Sequence, residues 1–482
     1  MLELRCDTEQ TPDGLMVLHA HELRALRERV QRPLVLALND ATSFGAFRGS
    51  MATRQAWMQL CSEAGVDWVD VPLAALQELG PRALAATGHT RRIVSLHSAP
   101  WSSQAQAQLQ VQQLVAASQP GDVLKLVPQA DDGVQALRSM EWGAAAPWEG
   151  RRHVLFASGA EAQYTRVLAP VYGSAWVYAR AQASAATAPG QLTAAALRAA
   201  WPRAGCTPAT RLLAVLGDPI AHSVSPQVHT RGLRELDLDA VYVAVRCADL
   251  AGFAQQLAPQ WRGLALTAPL KLQAARLASE CSTLVTQAGA ANTWVRRADG
   301  AWHAHNTDGI GLERAVQRLW PRGRHTRITV LGTGGAARTA VWALHGMNLE
   351  EPVRVWGRRT AEAQALAAEA GTSAWSSTDI IESDMLLDCT SAALRGEVPL
   401  SPAQYAGTPH VMASTYRPLD TPLLRAARAH GCATSDGRWW FLEQACAQFE
   451  LQHGVPAPRA AMEAQLQAEL ESAAKSDVEA WS

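Results

Sequence analysis

Short apolar runs alternate with longer amphipathic stretches through the first two hundred residues. The runs are strand candidates at Leu2–Cys6, Pro33–Leu38, Trp68–Val71, Ile93–Leu96, Val123–Val127, His153–Phe156 and Ala175–Tyr178. Between them, stretches such as Leu23–Val30 and Gln104–Ala117 carry apolar residues at helical spacing. This alternation predicts a parallel α/β domain, and the number of repeats approaches that of a TIM barrel.

The same pattern resumes after a linker. Residues 181–211 are rich in Ala, Ser, Thr, Pro and Gly, with one short helical piece, and place a boundary near residues 203–210. Further strands are predicted at Leu212–Leu216, Val353–Trp356, Met385–Cys389 and His410–Ala413. Further helices are predicted at Thr193–Trp201, Ala336–His345, Pro422–His430 and Asp436–Gly454.

Composition excludes several classes of protein. The 482 residues carry a net charge of −1, which provides no field for nucleic acid or an anionic membrane. No apolar run is long enough to span a bilayer, and the charged N-terminus does not look like a signal peptide. The eight cysteines are scattered without a C-x-x-C pair, which favours reduced thiols in the cytoplasm over a disulfide framework or a zinc site.

Lysine is scarce in this chain. Of 43 basic residues only Lys125, Lys271 and Lys475 are lysines, and Lys475 lies in a polar tail. Arginine replaces lysine on a solvated face, but not where an amine must lose its proton. A biased genome explains the loss of lysines without explaining which ones remain. Lys125 and Lys271 are therefore candidates for chemistry.

Lys125 lies inside an apolar strand, and His97 follows the strand Ile93–Leu96. In barrels of this type the reactive groups occupy the carboxyl ends of strands. Burial is expected to lower the pKa of Lys125 and make the amine a nucleophile for carbonyl carbon. The alternative is a lysine that reaches solvent at the end of the barrel, with His97 as a core residue.

Lys271 follows the run Gly263–Thr267, which reads as a strand that ends at a pocket. Asp308 precedes a glycine at the start of a helical pattern and is placed to hold a proton with Lys271 for transfer to an alkoxide. Ser223 and Ser225 stand just before a helix predicted to begin at Pro226, where hydroxyl and N–H groups bind a carboxylate.

Asn292 is placed to bind hydroxyl groups. For Ser225 and Asp308 the alternative is an ordinary helix cap, and for Asn292 an Asx turn.

A glycine turn follows the strand-like segment 327–331. Its residues are Gly332, Gly334, Gly335 and Ala336, and a helix and a second strand come next, as in a Rossmann-type dinucleotide site. That second strand is followed by Arg358, Arg359 and Thr360 instead of an acidic residue. Two arginines favour a 2′-phosphate, so we expect NADP(H).

The second half resembles shikimate dehydrogenase over about residues 212–470. The motifs are His222-Ser-Val-Ser-Pro, Thr267-Ala-Pro-Leu-Lys271, Gly289-Ala-Ala-Asn292-Thr, Asn306-Thr-Asp308-Gly, Gly332-Thr-Gly-Gly-Ala-Ala-Arg, Tyr416-Arg-Pro-Leu-Asp and Gln444-Ala. The resemblance implies Lys271 and Asp308 as the catalytic pair and Ser223 and Ser225 on the substrate carboxylate. It also implies hydroxyl contacts from Thr267, Asn292, Asp308 and Gln444, with Tyr416 nearby.

The first half resembles type I 3-dehydroquinate dehydratase over about residues 2–195. The pieces are Glu3-Leu-Arg5, Ser95-Leu-His97, Leu124-Lys125-Leu, Thr165-Arg166 and Thr187-Ala-Pro-Gly-Gln191. The resemblance implies a TIM barrel, an imine on Lys125, proton transfer by His97 and a carboxylate contact from Arg166. It implies further substrate contacts from Glu3, Arg5, Thr187 and Gln191.

This first half departs from the family pattern. Asn39 and Ser43 stand where the family has an arginine and a glutamate, and Asp70-Val-Pro72 stands for Asp-x-Glu. In the family the Glu-x-Arg strand is the second of the barrel, whereas here it begins at residue 2. Seven strands do not close an eight-strand barrel, so we expect either a true start codon upstream of Met1 or an open, altered domain with a free sheet edge.

Together these features predict a bifunctional enzyme of the shikimate pathway. Its domains are residues 1–203 as a dehydratase-like barrel, 208–318 with 440–475 as a substrate lobe, and 319–439 as an NADP lobe. The expected ligands are 3-dehydroquinate, 3-dehydroshikimate, shikimate and NADP(H), without metal, nucleic acid or membrane. The alternatives are a shikimate or quinate dehydrogenase with an inactive first domain, a ligand-sensing regulator, and an NADP-binding module without turnover.

Overall fold

A computed structural model describes residues 1–7, 15, 19–41, 45–181, 190–221, 223–257, 259–319, 326–347, 349–376 and 378–479, with 473–479 as helix backbone only. The chain divides into two compact units. The first comprises Met1–Ala199 and Cys206–Thr210, and the second comprises Ala200–Gly205 and Arg211–Ser482.

The first unit is built on six parallel strands in the order β1-β2-β3-β4-β5-β6. The strands are β1 Leu2–Arg5, β2 Leu34–Ala37, β3 Trp68–Pro72, β4 Arg91–Ser98, β5 Val123–Pro128 and β6 His153–Leu155. The helices are α1 Ala20–Arg29, α2 Met51–Glu63, α3 Leu73–Leu79, α4 Pro81–Thr87, α5 Gln104–Ala117, α6 Gly133–Ala144 and α7 Gln163–Leu168, with α8 Ala194–Ala200 at the junction of the units.

Every residue of β2, β3 and β5 is buried, which explains their unbroken apolar runs. The predicted parallel α/β architecture is confirmed as a half-barrel. Within the described residues, β1 and β6 are the two edges of the sheet. His97 lies inside β4 and does not follow it, because β4 continues to Ser98.

The strand predicted at Ala175–Tyr178 is wrong. The Ala175 N–H donates to the His153 carbonyl at 2.8 Å, but no ladder continues from there. The Ser174 hydroxyl forms the next two hydrogen bonds to the edge of β6. It accepts from the Leu155 N–H at 2.9 Å and donates to the Leu155 carbonyl at 3.0 Å. A side chain thus satisfies the edge of β6 where a strand was expected.

The second unit contains two sheets. The first has the order β10-β12-β11-β9-β7-β8, with β11 antiparallel to both of its neighbours. Its strands are β7 Arg211–Gly217, β8 Ala240–Arg246, β9 Trp261–Leu266, β10 Glu280–Cys281, β11 Thr293–Arg296 and β12 Trp302–His305. Its helices are α9 Ser225–Glu235, α10 Leu250–Ala254, α11 Lys271–Leu277, α12 Thr283–Ala288 and α13 Thr307–Leu319.

The second sheet is parallel, with the order β15-β14-β13-β16-β17-β18. Its strands are β13 Ile328–Leu331, β14 Arg354–Trp356, β15 Ser373–Ala374, β16 Met385–Asp388, β17 His410–Ala413 and β18 Thr434–Ser435. The accompanying helices are α14 Gly335–Gly346, α15 Thr360–Glu369 and α16 Pro422–Ala429. The strand order reverses between β13 and β16, which is where doubly wound sheets bind ligands. The predicted Rossmann-type lobe is confirmed.

Two C-terminal helices return to the first sheet of this unit. They are α17 Arg438–His453 and α18 Arg459–Glu479. Phe441, Leu442 and Phe449 of α17 share a core with Leu213 of β7 and Tyr242 of β8. This packing brings side chains from near position 445 to strands near positions 213 and 242.

Within the part of the chain described above, no helix is long and apolar enough to cross a membrane.

Candidate functional site

A cavity of about 200 Å³ opens at the carboxyl ends of β7 and β9 in the second unit. Its wall contains every site residue that the sequence predicted for the substrate lobe. They are Ser223, Ser225, Thr267, Lys271, Asn292, Asp308, Tyr416 and Gln444. The structure therefore brings together residues from positions 223 to 444.

Lys271 and Asp308 meet in this cavity. Lys271 is the first residue of α11 and Asp308 the second of α13, and Lys271 Nζ donates to Asp308 Oδ2 at 2.6 Å. The side chains are 19% and 14% exposed, so a bound ligand reaches both. A short charge-assisted hydrogen bond of this kind holds a proton between the two side chains, at the cavity wall that a ligand contacts.

Trp440 fixes the position of Asp308. Its indole N–H donates to the Asp308 carbonyl at 2.7 Å, and the residue lies on α17. No local pattern in the sequence predicts this contact, because 132 residues separate the two positions.

Asn292 is held by a buried hydrogen-bond network. Its Nδ2 donates to Thr307 Oγ1 at 2.9 Å, and its Oδ1 accepts from the Thr307 N–H at 2.8 Å. Gln444 Oε1 lies 3.4 Å from the same Nδ2, and Gln448 donates to the neighbouring Thr293 at 2.8 Å. Asn292 is therefore oriented before any ligand binds. Thr307 and Gln448 were missed by sequence reasoning.

Ser225 begins α9, one residue earlier than predicted, and its N–H donates to Ser223 Oγ at 3.3 Å. Burial raises the pKa of Tyr416 to about 12, against the opposing effect of a hydrogen bond with Ser223. The phenol therefore stays neutral as a hydrogen-bonding group. Two hydroxyls and a helix N-terminus together suit a carboxylate. His222 lies outside the described residues.

A second cavity, of about 780 Å³, lies at the switch point of the parallel sheet. Its wall includes Gly332, Gly334, Gly335, Ala336, Arg358 and Arg359. Thr360 is not part of this wall but begins α15 directly after Arg359.

Gly332 of the turn has a steric reason, and Gly335 lies against Lys271. Gly332 has φ +117°, and a Cβ there would lie 3.2 Å from the Cys389 carbonyl oxygen. A Cβ on Gly335 would lie 3.4 Å from Lys271 Cβ. The turn therefore packs against the stem of the candidate catalytic lysine.

The two cavities share a wall formed by Thr267, Lys271, Ala336 and Ser414. A dinucleotide lying along the glycine turn would thus meet a substrate beside Lys271. The residues present fit such a cofactor: a helix N-terminus follows the glycine turn, and arginines stand at the far end of the cleft.

The arginines of the cleft are exposed and paired. The side chain of Arg358 is 73% exposed and lies 3.9 Å from Glu397. The side chain of Arg359 is 77% exposed and lies 2.9 Å from Glu362. Arg395, which the sequence reasoning missed, lies 2.8 Å from the same Glu397. A 2′-phosphate would compete with these carboxylates for three guanidinium groups.

Replacing Arg358 is expected to weaken NADPH binding selectively. Hydrogen bonds to charged groups contribute about 1.5–3 kcal/mol, so Arg358→Ala should raise the KM for NADPH roughly 10-fold or more. The KM for NADH should change little, since NADH lacks the phosphate. Initial rates with both cofactors measure this. Arg354→Ala is the matched control, because that arginine stacks on Trp375 and does not line the cleft. Equal effects on both cofactors would contradict the assignment.

In the first unit Lys125 lies against Asp70. Lys125 Nζ donates to Asp70 Oδ2 at 2.8 Å, and the lysine and the carboxylate are 5% and 0% exposed. The Lys125 cation also lies 4.7 Å from the centre of the Tyr178 ring. In the sequence, Asp70 stands out only as part of the segment Asp70-Val-Pro72 that departs from the family pattern.

The predicted lowering of the Lys125 pKa is wrong. Burial is the largest single influence and lowers the pKa of Lys125, but Asp70, Tyr178 and Glu3 together outweigh it, and the pKa of Lys125 is raised. Burial and the nearby charge of Lys125 lower the pKa of His97 to about 3. The described state is therefore an ammonium–carboxylate pair beside a neutral imidazole.

The other predicted residues of this unit vary in placement. Glu3 is close enough to interact electrostatically with Lys125, and burial raises its pKa. Arg5 forms an ion pair with Asp7 at 2.6 Å. The Arg166 guanidinium stacks 4.1 Å from the Phe156 ring centre, and burial lowers its pKa to about 10. Gln191 is half-buried, and Thr187 and Ser43 lie outside the described residues.

A buried guanidinium lies beside Asn39, where the family has an arginine. Arg54 of α2 is 1% exposed, and its Nη1 donates to the Leu38 carbonyl at 2.6 Å. Its Nε has no hydrogen-bond partner among the described residues. The Arg54 guanidinium of α2 thus lies next to Asn39, the position at which the family has an arginine.

Comparison with known proteins accounts for both units. Residues 1–203 match the family model for type I 3-dehydroquinase, and residues 215–294 match that for the shikimate dehydrogenase substrate-binding domain. Shikimate dehydrogenase (NADP(+)) of Acidovorax ebreus is 35% identical over 288 residues, which cover 56% of this chain and 100% of that protein.

The chain belongs to the shikimate dehydrogenase family. A solved structure of the Thermus thermophilus shikimate 5-dehydrogenase, in complex with NADP(H) and shikimate, is 31% identical with a TM-score of 0.50. It covers 54% of this chain and 100% of that one. The bifunctional 3-dehydroquinate dehydratase/shikimate dehydrogenase of Arabidopsis thaliana is 27% identical over 469 residues, covering 91% of this chain and 76% of that protein. This member of the family thus carries a type I 3-dehydroquinase unit ahead of its dehydrogenase unit.

Proposed function

We propose that this chain catalyses two consecutive reactions of the shikimate pathway. The first unit removes water from 3-dehydroquinate to give 3-dehydroshikimate. The second unit reduces 3-dehydroshikimate to shikimate with NADPH. The observation that carries the proposal is the Lys271–Asp308 pair, which stands in the wall between a substrate cavity and a dinucleotide cleft.

For the reduction, NADPH supplies a hydride to the substrate ketone when it is bound in the cleft. Lys271 and Asp308 provide the proton that the resulting alkoxide takes up. Ser223, Ser225 and Tyr416 hold the substrate carboxylate, while Thr267, Asn292 and Gln444 bind the hydroxyl groups. Because Asn292 is already fixed by Thr307, little ordering is needed when the substrate binds.

For the dehydration, Lys125 forms an imine with the substrate ketone, and His97 transfers protons. An imine acidifies the adjacent carbon, so that loss of a proton and of the hydroxyl group becomes possible. Glu3, Arg5, Arg166, Thr187 and Gln191 are the proposed binding residues. His97 is neutral, which is the protonation state that a proton acceptor requires, and its lowered pKa makes it a weak base.

The proposed division of labour follows the domains 1–203, 208–318 with 440–475, and 319–439. The first product is the second substrate, so one polypeptide raises the chance that the intermediate meets its next site. We also propose a cytoplasmic location, which eight scattered cysteines without a C-x-x-C pair support.

A coupled assay tests the proposal. The chain incubated with 3-dehydroquinate and NADPH should consume both and accumulate shikimate, which chromatography identifies. Supplying 3-dehydroshikimate directly should bypass the first unit. If only the second reaction occurs, the first unit is inactive; if quinate is oxidised with a higher kcat/KM than shikimate, the substrate assignment is wrong.

A further inference from the structure

Among the described residues of the first unit, Asp70 is the most deeply buried charged group, and it has no role in the mechanism above. It lies on β3, fully shielded from solvent, and both carboxylate oxygens are engaged. Oδ2 accepts from Lys125 Nζ at 2.8 Å, and Oδ1 accepts from the Ser95 hydroxyl at 2.5 Å. A carboxylate held from two sides has one orientation, and that orientation faces the amine.

The surroundings of Lys125 contain few other groups that accept a proton. Glu3 of β1 and His97 of β4 lie within electrostatic range, as does Tyr178, which follows β6. Arg5, the last residue of β1, is paired with Asp7. Asp70 is the acceptor in direct contact with the amine in this part of the structure.

Imine formation needs the amine in its neutral form and later needs a proton for the departing hydroxyl group. The Lys125–Asp70 pair begins as ammonium and carboxylate and therefore already contains that proton. If one group takes this proton from Lys125 and later returns it, the series of chemical steps needs no proton from solvent. Burial suits this role, because a pair closed to water exchanges its proton internally.

We propose that Asp70 is a catalytic residue that accepts the Lys125 proton and returns it to the carbinolamine. The proposal rests on the dehydratase function given above. Transfer to Asp70 gives a neutral amine and a carboxylic acid. The amine nitrogen bonds to the ketone carbon, and one N–H proton moves to the oxygen to give a neutral carbinolamine. Asp70 then protonates that hydroxyl group, the C–O bond breaks and water leaves.

The products are a protonated imine on Lys125, the Asp70 carboxylate and one water molecule. The net charge of zero on the pair is unchanged. Asp70 ends as the counter-ion of the protonated imine, while the Ser95 hydroxyl keeps its orientation. No external acid or base takes part.

Borohydride trapping with 3-dehydroquinate tests this role in the full-length chain. In the wild type, the rate of adduct formation should be nearly independent of pH between about pH 6 and pH 9, since the proton stays within the pair. Asp70→Asn should trap at least about 100-fold more slowly. Its rate should also fall about tenfold per pH unit as pH rises, because the departing hydroxyl must then be protonated from solvent.

Two further variants separate chemistry from structure. Asp70→Glu keeps a carboxylate and should keep the flat profile. Ser95→Ala keeps both charges and should slow trapping about tenfold, the order expected for one lost hydrogen bond, with the profile still flat. NADP-dependent shikimate oxidation should be unchanged in all variants and serves as the internal control for the concentration of full-length chain.

The outcomes are distinct. A wild-type rate in Asp70→Asn, or a slower rate with a flat profile, overturns the role of Asp70 alone. Absence of any adduct on the wild-type chain overturns the dehydratase assignment and this role together.

Discussion

Lys271→Met should reduce the kcat for NADP-dependent shikimate oxidation by about 100- to 10,000-fold, the range found when a proton-transferring side chain is lost. Methionine preserves the length and apolar stem of the lysine, which packs against Gly335. It removes the ammonium group that donates to Asp308 at 2.6 Å. Steady-state kinetics with shikimate and NADP⁺ measure the effect, and cofactor binding followed by fluorescence should change little.

The matched control is Arg276→Met on the same helix. Arg276 is exposed and lies outside both cavity walls, so its loss should leave kcat close to the wild-type value. Asp308→Asn should reproduce the Lys271→Met defect if the two side chains act as one unit. A Lys271→Met enzyme with near-normal kcat would remove the basis for the dehydrogenase mechanism.

Lys125→Met should abolish both dehydration of 3-dehydroquinate and the borohydride-trapped adduct, while shikimate oxidation continues. The amine is the group that bonds to the substrate, and no other lysine lies in the first unit. Mass spectrometry of the trapped, digested chain should place the adduct on Lys125 in the wild type. An adduct elsewhere, or continued turnover by the variant, would show that another group performs the reaction.

This substitution also leaves Asp70 buried without a partner. Breaking a buried ion pair costs about 3–5 kcal/mol, so the first unit should unfold at lower denaturant concentration in Lys125→Met. Lys125→Arg keeps the cation but cannot form an imine, and it separates lost chemistry from lost stability. The double variant Lys125→Met/Asp70→Asn should recover part of the stability and none of the activity, which a double-mutant cycle by urea denaturation measures.

The fold was largely predictable because its signals are local. Buried parallel strands read as unbroken apolar runs, and β2, β3 and β5 are buried along their whole length. The glycine turn was predictable because Gly332 adopts φ +117° against the Cys389 carbonyl. Ala175–Tyr178 was mispredicted because its composition suits a strand, and only the Ser174 hydroxyl on Leu155 fills the edge instead.

Much of the substrate cavity followed from motifs, since most predicted residues stand near a strand end or a helix start, whereas Gln444 lies inside α17. The supporting residues did not. Trp440 and Gln448 reach Asp308 and Thr293 from α17, and such pairings depend on how a distant helix packs. Arg54 and Arg395 were missed because nothing in the sequence indicates which groups an arginine in a helix or loop will contact.

The sequence by itself determined the two α/β units, the glycine turn and the identity of two chemically useful lysines, because apolar periodicity, turn residues and residue rarity are properties of the chain. The protonation state of Lys125 was decided only by the tertiary structure. Burial alone favours the neutral amine, but the sheet brings a carboxylate from 55 residues away to 2.8 Å, and Asp70 together with Tyr178 and Glu3 reverses that preference.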